Sequence, residues 1–225
     1  FSKLVNDAHR YGIPVLAGTQ RDEWRLFTVR GADADNLDEA GLLAAVSKIV
    51  DDAEGIIEGY REILQGRGAA DMRPISLLAA IETGRKMRMP AVALCEAMAA
   101  RGQSAYQYVF TAESPWEDGF LSACHAIIIG YLFGTHSYSE EAGMFFGHGE
   151  DADALSGHLQ DAVINLGKTG NPRTEALADW AAYDTQTRST AVFNTPVAVV
   201  DGVFDEERVL WSDKEAALPF GPDRQ

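Results

Sequence analysis

His125 stands alone in an apolar run, SACHAIIIG from Ser122 to Gly130. An imidazole in such a setting is either a core histidine with both nitrogens satisfied or a general base held in a dry site, where its pKa can be tuned. Ser122, Ala123 and Ala126 are small and leave room for a ligand beside it. A second candidate closes the stretch IPVLAGTQRDEW, Ile13 to Trp24, which begins apolar and turns abruptly charged at Arg21, Asp22 and Glu23. A carboxylate just past the C-terminal end of a parallel-type strand is in position to reach an imidazole, fix its tautomer and stabilise the imidazolium. The plainer reading is a solvated turn in which Arg21 pairs with an acid, and Asp22 competes with Glu23 for the role.

The remaining candidates are weaker. His136, His148 and His158 lack metal-ligand spacing, and GHGEDADA lacks the ligand positions of a calcium loop. RGADAD, Arg30 to Asp35, has no Gly-rich turn and no Lys, so it is not a phosphate loop. A nucleophile is the gap. No G-x-S-x-G occurs. The nearest stretch is GQSAY, but Ser104 there leads into a strand, the wrong side of a strand-to-helix elbow. No metal or organic cofactor is implied.

The elements that must carry these residues follow from periodicity. FSKLVNDAHRYG reads as a helix with Leu4, Val5 and Ala8 on one face, closing at Gly12. IPVLAGT reads as a short buried strand. From Leu42 to Leu64 the apolar positions step by three and four residues, which predicts one continuous packed surface helix. A second helix is predicted from Pro74 to about Arg88, with a restart or kink at Pro90 and an end at Gly102. SAYQYVFT alternates and reads as a strand. DADALSGHLQDAVINLGKTG is an amphipathic helix with an acidic start and a closing Gly. STAVFN and VAVVDG are strands joined around Thr195-Pro196, a terminal hairpin, and the tail beyond is charged. No repeat or long linker divides the chain, so residues 1–225 are expected to form a single domain. The fold class is α/β, with a mostly parallel sheet and a helical insertion.

Composition limits the partners. Lys plus Arg is 19 against 34 for Asp plus Glu, a net charge of −15, which argues against nucleic acid and anionic membrane surfaces. Hydrophobic residues make up 46%, enough for a real core. Cys95 and Cys124 sit in apolar runs and are expected to be free thiols, which leans toward a cytoplasmic location. The sequence begins at Phe1 with no signal peptide, and is read as a piece of something longer.

With these residues in hand, the chain resembles the C-terminal part of a type B carboxylesterase, the para-nitrobenzyl esterase and cholinesterase-like branch of the α/β-hydrolase fold. VLAGTQRDEWRLF is similar to that family's strand, Gly-Thr, then Arg-Asp-Glu segment, and AYQYVFTAESP to its Tyr-rich strand. SACHAIIIGYLFG resembles the histidine loop. LGKTGNPRTEALADWAAYDTQTRSTAVFN resembles the closing signature. The resemblance implies that Glu23 is the triad acid and His125 the general base, in the family's order of serine, acid, histidine. It further implies that the nucleophile and the oxyanion loop lie in an N-terminal half absent from this chain. Two departures stand out: where the family usually carries an acid and then a Pro after the histidine, this sequence has Ile128 and Gly130.

The implied function is carboxylic ester hydrolysis, with a small-molecule ester as substrate and the N-terminal half as partner. The isolated piece is expected to be inactive and open to self-association through an uncovered sheet edge. The alternative is a non-catalytic cholinesterase-like interaction module. Retention of both Glu23 and His125 speaks against it.

Overall fold

A computed structural model describes residue 7, residues 10–28, residues 36–214 and residue 218. In chain order its elements are β1 (Val15–Gln20), α1 (Arg25–Thr28), α2 (Glu39–Val46), α3 (Ala53–Gly66), α4 (Pro74–Thr83), a π-helical turn (Gly84–Arg88), α5 (Met89–Ala99), β2 (Ala105–Phe110), α6 (Ile127–Leu132), α7 (Glu140–Phe146), α8 (Glu150–Thr169), β3 (Ser189–Phe193), β4 (Ala198–Asp201) and α9 (Asp205–Trp211). The chain divides into two compact units. The first comprises Phe1–Arg21 and Ala91–Val203, the second Asp22–Pro90 and Phe204–Gln225.

The first unit is built on a four-stranded sheet in the order β1-β2-β3-β4. β1 and β2 are parallel, β2 and β3 are parallel, and β4 returns antiparallel to β3 as the expected hairpin, with a cis peptide at Thr195-Pro196. The β1–β2 register places Gly18 opposite Tyr108. A Cβ at Gly18 would run into the Tyr108 carbonyl and ring, so the glycine lets the two strands approach. Tyr106 and Phe193 meet the fully buried Trp180, whose loop the sequence places after α8, and Phe110 packs on Tyr131 in the same core. Leu155, Leu159 and Ala162 of α8 complete this core, and α8 ends at Gly170 with φ +77°. A separate cluster packs Cys95 and Met98 of α5 against Ala17 and Ala105.

The second unit is helical. Leu42, Val46, Ile56, Tyr60, Leu77 and Ile81 are buried there, with Trp211 of α9. Its interior also holds charge. Glu207 is fully buried and accepts from Arg88 Nη1 at 2.6 and 2.8 Å, from Arg67 at 2.8 Å and from the Tyr60 hydroxyl at 3.1 Å. Trp211 Nε1 donates to the Tyr60 oxygen at 2.9 Å, and the Arg88 guanidinium lies 4.5 Å from the Phe204 ring centroid.

The structure corrects several expectations about elements. The helix predicted over Leu42–Leu64 is two helices, α2 and α3, because the Asp52 carboxylate caps a fresh N-terminus by accepting from the Gly55 N–H at 3.1 Å. Most of the predicted seam is nonetheless buried, Leu42, Val46, Ala53, Ile56, Tyr60 and Ile63 turning inward, while Ile49, next to the break, is only half-buried. The restart at Pro90 takes the form of the π turn, which inserts residues without ending the helical path. The charged tail contains α9, and α7 is a helix the hydropathy pattern does not announce. The opening helix falls largely on residues outside those described, as does Arg30 to Asp35, although Arg10 and Tyr11 are helical and Gly12 has φ +61°. No described helix is long and apolar enough to cross a membrane.

Candidate active site

β1 and β2 lie side by side and point the same way, and the two candidate residues sit in the segments that leave their C-terminal ends. In open α/β sheets those exits are where side chains meet ligands, because the loops there diverge and leave a crevice. Glu23 belongs to the second unit and His125 to the first.

The exit of β1 is a short turn, Arg21–Trp24, closed by the Arg25 N–H on the Asp22 carbonyl at 3.0 Å. Glu23 is the buried carboxylate of the turn, at 5% exposure, and Asp22 is half-buried. Trp24 fixes the turn from its far side. Its N–H donates to Thr83 Oγ1 at 2.9 Å, and Lys86 Nζ lies 3.7 Å from its ring centroid. Thr83 and Lys86 come from the junction between α4 and the π turn.

The exit of β2 is long and irregular. Thr111 N–H ties its start to the Phe193 carbonyl of β3 at 2.9 Å. Ser114, fully buried, donates from Oγ to the Phe145 carbonyl at 2.6 Å, and its N–H donates to the Ser122 carbonyl at 3.0 Å. His125 is half-buried between two residues with left-handed backbone, Ser122 at φ +53° and Ala126 at φ +69°. Such conformations are unfavourable for residues with a Cβ and persist where the surroundings over-determine them, a pattern concentrated at functional sites. Apolar Ile127 then opens α6 and anchors the loop in the core.

Ser104, His136, His148 and His158 lie on other segments of the chain. Ser104 is exposed at the N-terminal end of β2, where its carbonyl accepts from Val15, so it is at the wrong end of the strand for a nucleophile elbow. His136 is buried, stacks on Tyr131 and has Nε2 2.9 Å from Asp153 Oδ1, a packed structural pair. His148 is exposed and His158 half-buried on α8. Cys95 and Cys124 are free and buried, as expected, and burial pushes the Cys95 thiol up to about 12. The departure at Gly130 has a local cause, because the Phe146 ring occupies the space a side chain there would need. Ile128 is half-buried against the same core.

The sequence pattern of the carboxylesterase family matches residues 2–211. The chain belongs to that family. It is 30% identical over 215 residues to a para-nitrobenzyl esterase of Bacillus subtilis, a match that takes in 92% of this chain and 39% of that protein. Among solved structures, a carboxylesterase of Geobacillus stearothermophilus superposes with a TM-score of 0.74 at 27% identity, over 91% of this chain and 42% of the other. A PNB esterase superposes with a TM-score of 0.68 at 25% identity, over 92% and 40%. The architecture is therefore that of the α/β-hydrolase carboxylesterases, and the chain spans about two fifths of the length of the relatives it matches.

One residue escaped the sequence reading. Arg21, noticed there only as a partner for neighbouring acids, donates to Glu113 and, at 2.7 Å, to Ser122 Oγ, both in the long loop. The only signal available was a cation at the exit of a strand, which is too common to single it out.

Proposed function

We propose that this chain supplies the acid and the base of a serine-type carboxylic ester hydrolase, Glu23 and His125, to a nucleophile carried elsewhere in the whole protein. The observation that carries the reading is the pairing of family membership with the two strand exits. The carboxylate and the imidazole occur, in the family's order, in the segments that leave adjacent parallel strands at the same end. Burial of Glu23 rather than Asp22 favours Glu23 as the acid. Both units then belong to one catalytic domain, whose partners are a small-molecule ester and the remainder of the polypeptide. A cytoplasmic location fits the two free thiols.

In this mechanism the serine oxygen attacks the ester carbonyl while His125 takes the serine proton. His125 returns that proton to the departing alkoxide, which leaves as an alcohol and an acyl-serine remains. Water then attacks the acyl carbon, giving up a proton to His125, and the carboxylic acid departs as the proton passes back to the serine. Glu23 holds the imidazole in the correct tautomer and stabilises its charged form. Backbone N–H groups of the remainder hold the oxyanion.

In the full-length protein, His125→Ala should lower kcat on a p-nitrophenyl ester by at least ~10³. A near-wild-type rate would sink the assignment. The 225 residues alone should show essentially no turnover, and ester hydrolysis by this chain by itself would overturn the placement of the nucleophile outside it.

A further inference from the structure

We propose that Arg21 is a positioning residue for His125, its guanidinium clasping the neck of the loop that carries the imidazole. The inference rests on the reading of His125 as the general base.

The loop leaves β2 at Phe110 and rejoins helix at Ile127. The hydrogen bond from the Ser114 N–H to the Ser122 carbonyl pinches it into a neck, with Glu113 on one side and Ser122 on the other. Arg21 bridges that neck. Its Nη2 donates to Ser122 Oγ at 2.7 Å and to the Glu113 carboxylate. Its backbone N–H donates to the Phe110 carbonyl at 2.9 Å, so the side chain starts from a fixed point beside the end of β2. A planar guanidinium presents several donors in one rigid fork and suits a grip on two partners.

The neck needs such a grip because Ser122 holds a left-handed backbone three residues before His125. Relaxation of Ser122 toward an ordinary conformation would carry the imidazole with it. A misplacement of about 1 Å in a catalytic group can cost on the order of 100-fold in rate. The Arg21–Glu113 pair is itself partly exposed, at 39% and 53% of the two side chains, so it adds little to global stability. A small effect on stability beside a large effect on geometry is the signature of a positioning role.

The test uses the full-length protein with Arg21→Met, Ser122→Ala and, as a control, His125→Ala. Arg21→Met should lower kcat on a p-nitrophenyl ester by ~10- to 100-fold while KM stays within ~2-fold and Tm barely moves. Free guanidinium at millimolar concentration should restore part of the loss. Amide hydrogen exchange at Ser114 and Ser122 should accelerate by ~10-fold. Ser122→Ala should move kcat the same way by less. Wild-type kcat and wild-type exchange in Arg21→Met would overturn the proposal, and so would a lower kcat with unchanged exchange. Retained activity in His125→Ala would instead remove the functional reading, and the exchange measurement still decides whether Arg21 holds the neck.

Discussion

The two units solve the problem of a stable interior in opposite ways. The first surrounds its sheet with rings and aliphatic groups: Trp180, Phe193, Tyr106 and Phe110 against α8. The second closes its helices around an anion, Glu207, held by Arg88, Arg67 and Tyr60. An apolar interior loses stability in proportion to what is removed, since neighbours relax into part of the space. An ionic one fails in steps, because removing one member leaves its partners buried and uncompensated. Conservative-looking changes should therefore be tolerated in the first unit and destabilise the second.

Trp180→Ala, which empties a site between Tyr106 and Phe193 at ring distances of 5.9 and 6.1 Å, should cost ~4 kcal/mol in urea unfolding. A loss below about 1 kcal/mol would show that this core is not the main support of the first unit. Glu207→Gln should cost ~3 kcal/mol despite its near-identical shape, because Arg88 is left buried without its counter-charge. Burial, the largest influence on Glu207, pushes its carboxyl up, but Arg88 and Arg67 together hold it below the usual value. A depressed folded pKa means that the stabilisation is complete above the ordinary carboxylate range and is lost as pH falls below that range toward the depressed folded value. The gap in urea midpoint between wild type and Glu207→Gln should therefore narrow between pH 5 and pH 3, a window set by the usual pKa of ~4.3. A gap independent of pH would contradict the network.

Smaller effects sharpen the same contrast. Asp52→Ala removes the cap that starts α3 and should cost ~1 kcal/mol, read as a lower Tm. Lys86→Met should cost ~0.5–1 kcal/mol by loss of the cation over Trp24, with the change visible in Trp fluorescence. At the smallest end, Cys95 and Cys124 should resist iodoacetamide at neutral pH in the native protein. Because both belong to the first unit, their alkylation in mild urea reports when that unit opens. In Glu207→Gln they should stay protected after the helical unit has begun to lose its circular dichroism.

Legibility in the sequence follows the same divide. β1, β2 and the β3–β4 hairpin were readable because β-branched and aromatic residues mark strands whichever face is buried. α8 was readable from its acidic start and closing glycine. The break between α2 and α3 was not, because Asp52 lies within an apolar period that runs on past it, and only its hydrogen bond to Gly55 shows it to be a cap. α9 was hidden for a stronger reason. Its first turn, Asp205, Glu206 and Glu207, reads as solvated charge, and nothing local tells that Glu207 is fully buried while its neighbour Val209 is exposed. That information sits in Arg67 and Arg88, far away in the chain. At the candidate site, Glu23 and His125 stood out by residue type at strand exits. Arg21 did not, since its meaning depends on a backbone twist at Ser122 that composition does not encode.

The second unit is assembled from two stretches separated by the whole of Ala91–Val203. During synthesis, Arg67 and Arg88 are made long before the glutamate that neutralises them. At ~5–20 residues per second, the delay lasts for seconds. The helices of Asp22–Pro90 gain their buried carboxylate only from a seven-residue helix that follows Val203. α9 thus ties the helical unit together across the whole sheet-bearing stretch, and its Glu207 neutralises cations from two different helical segments.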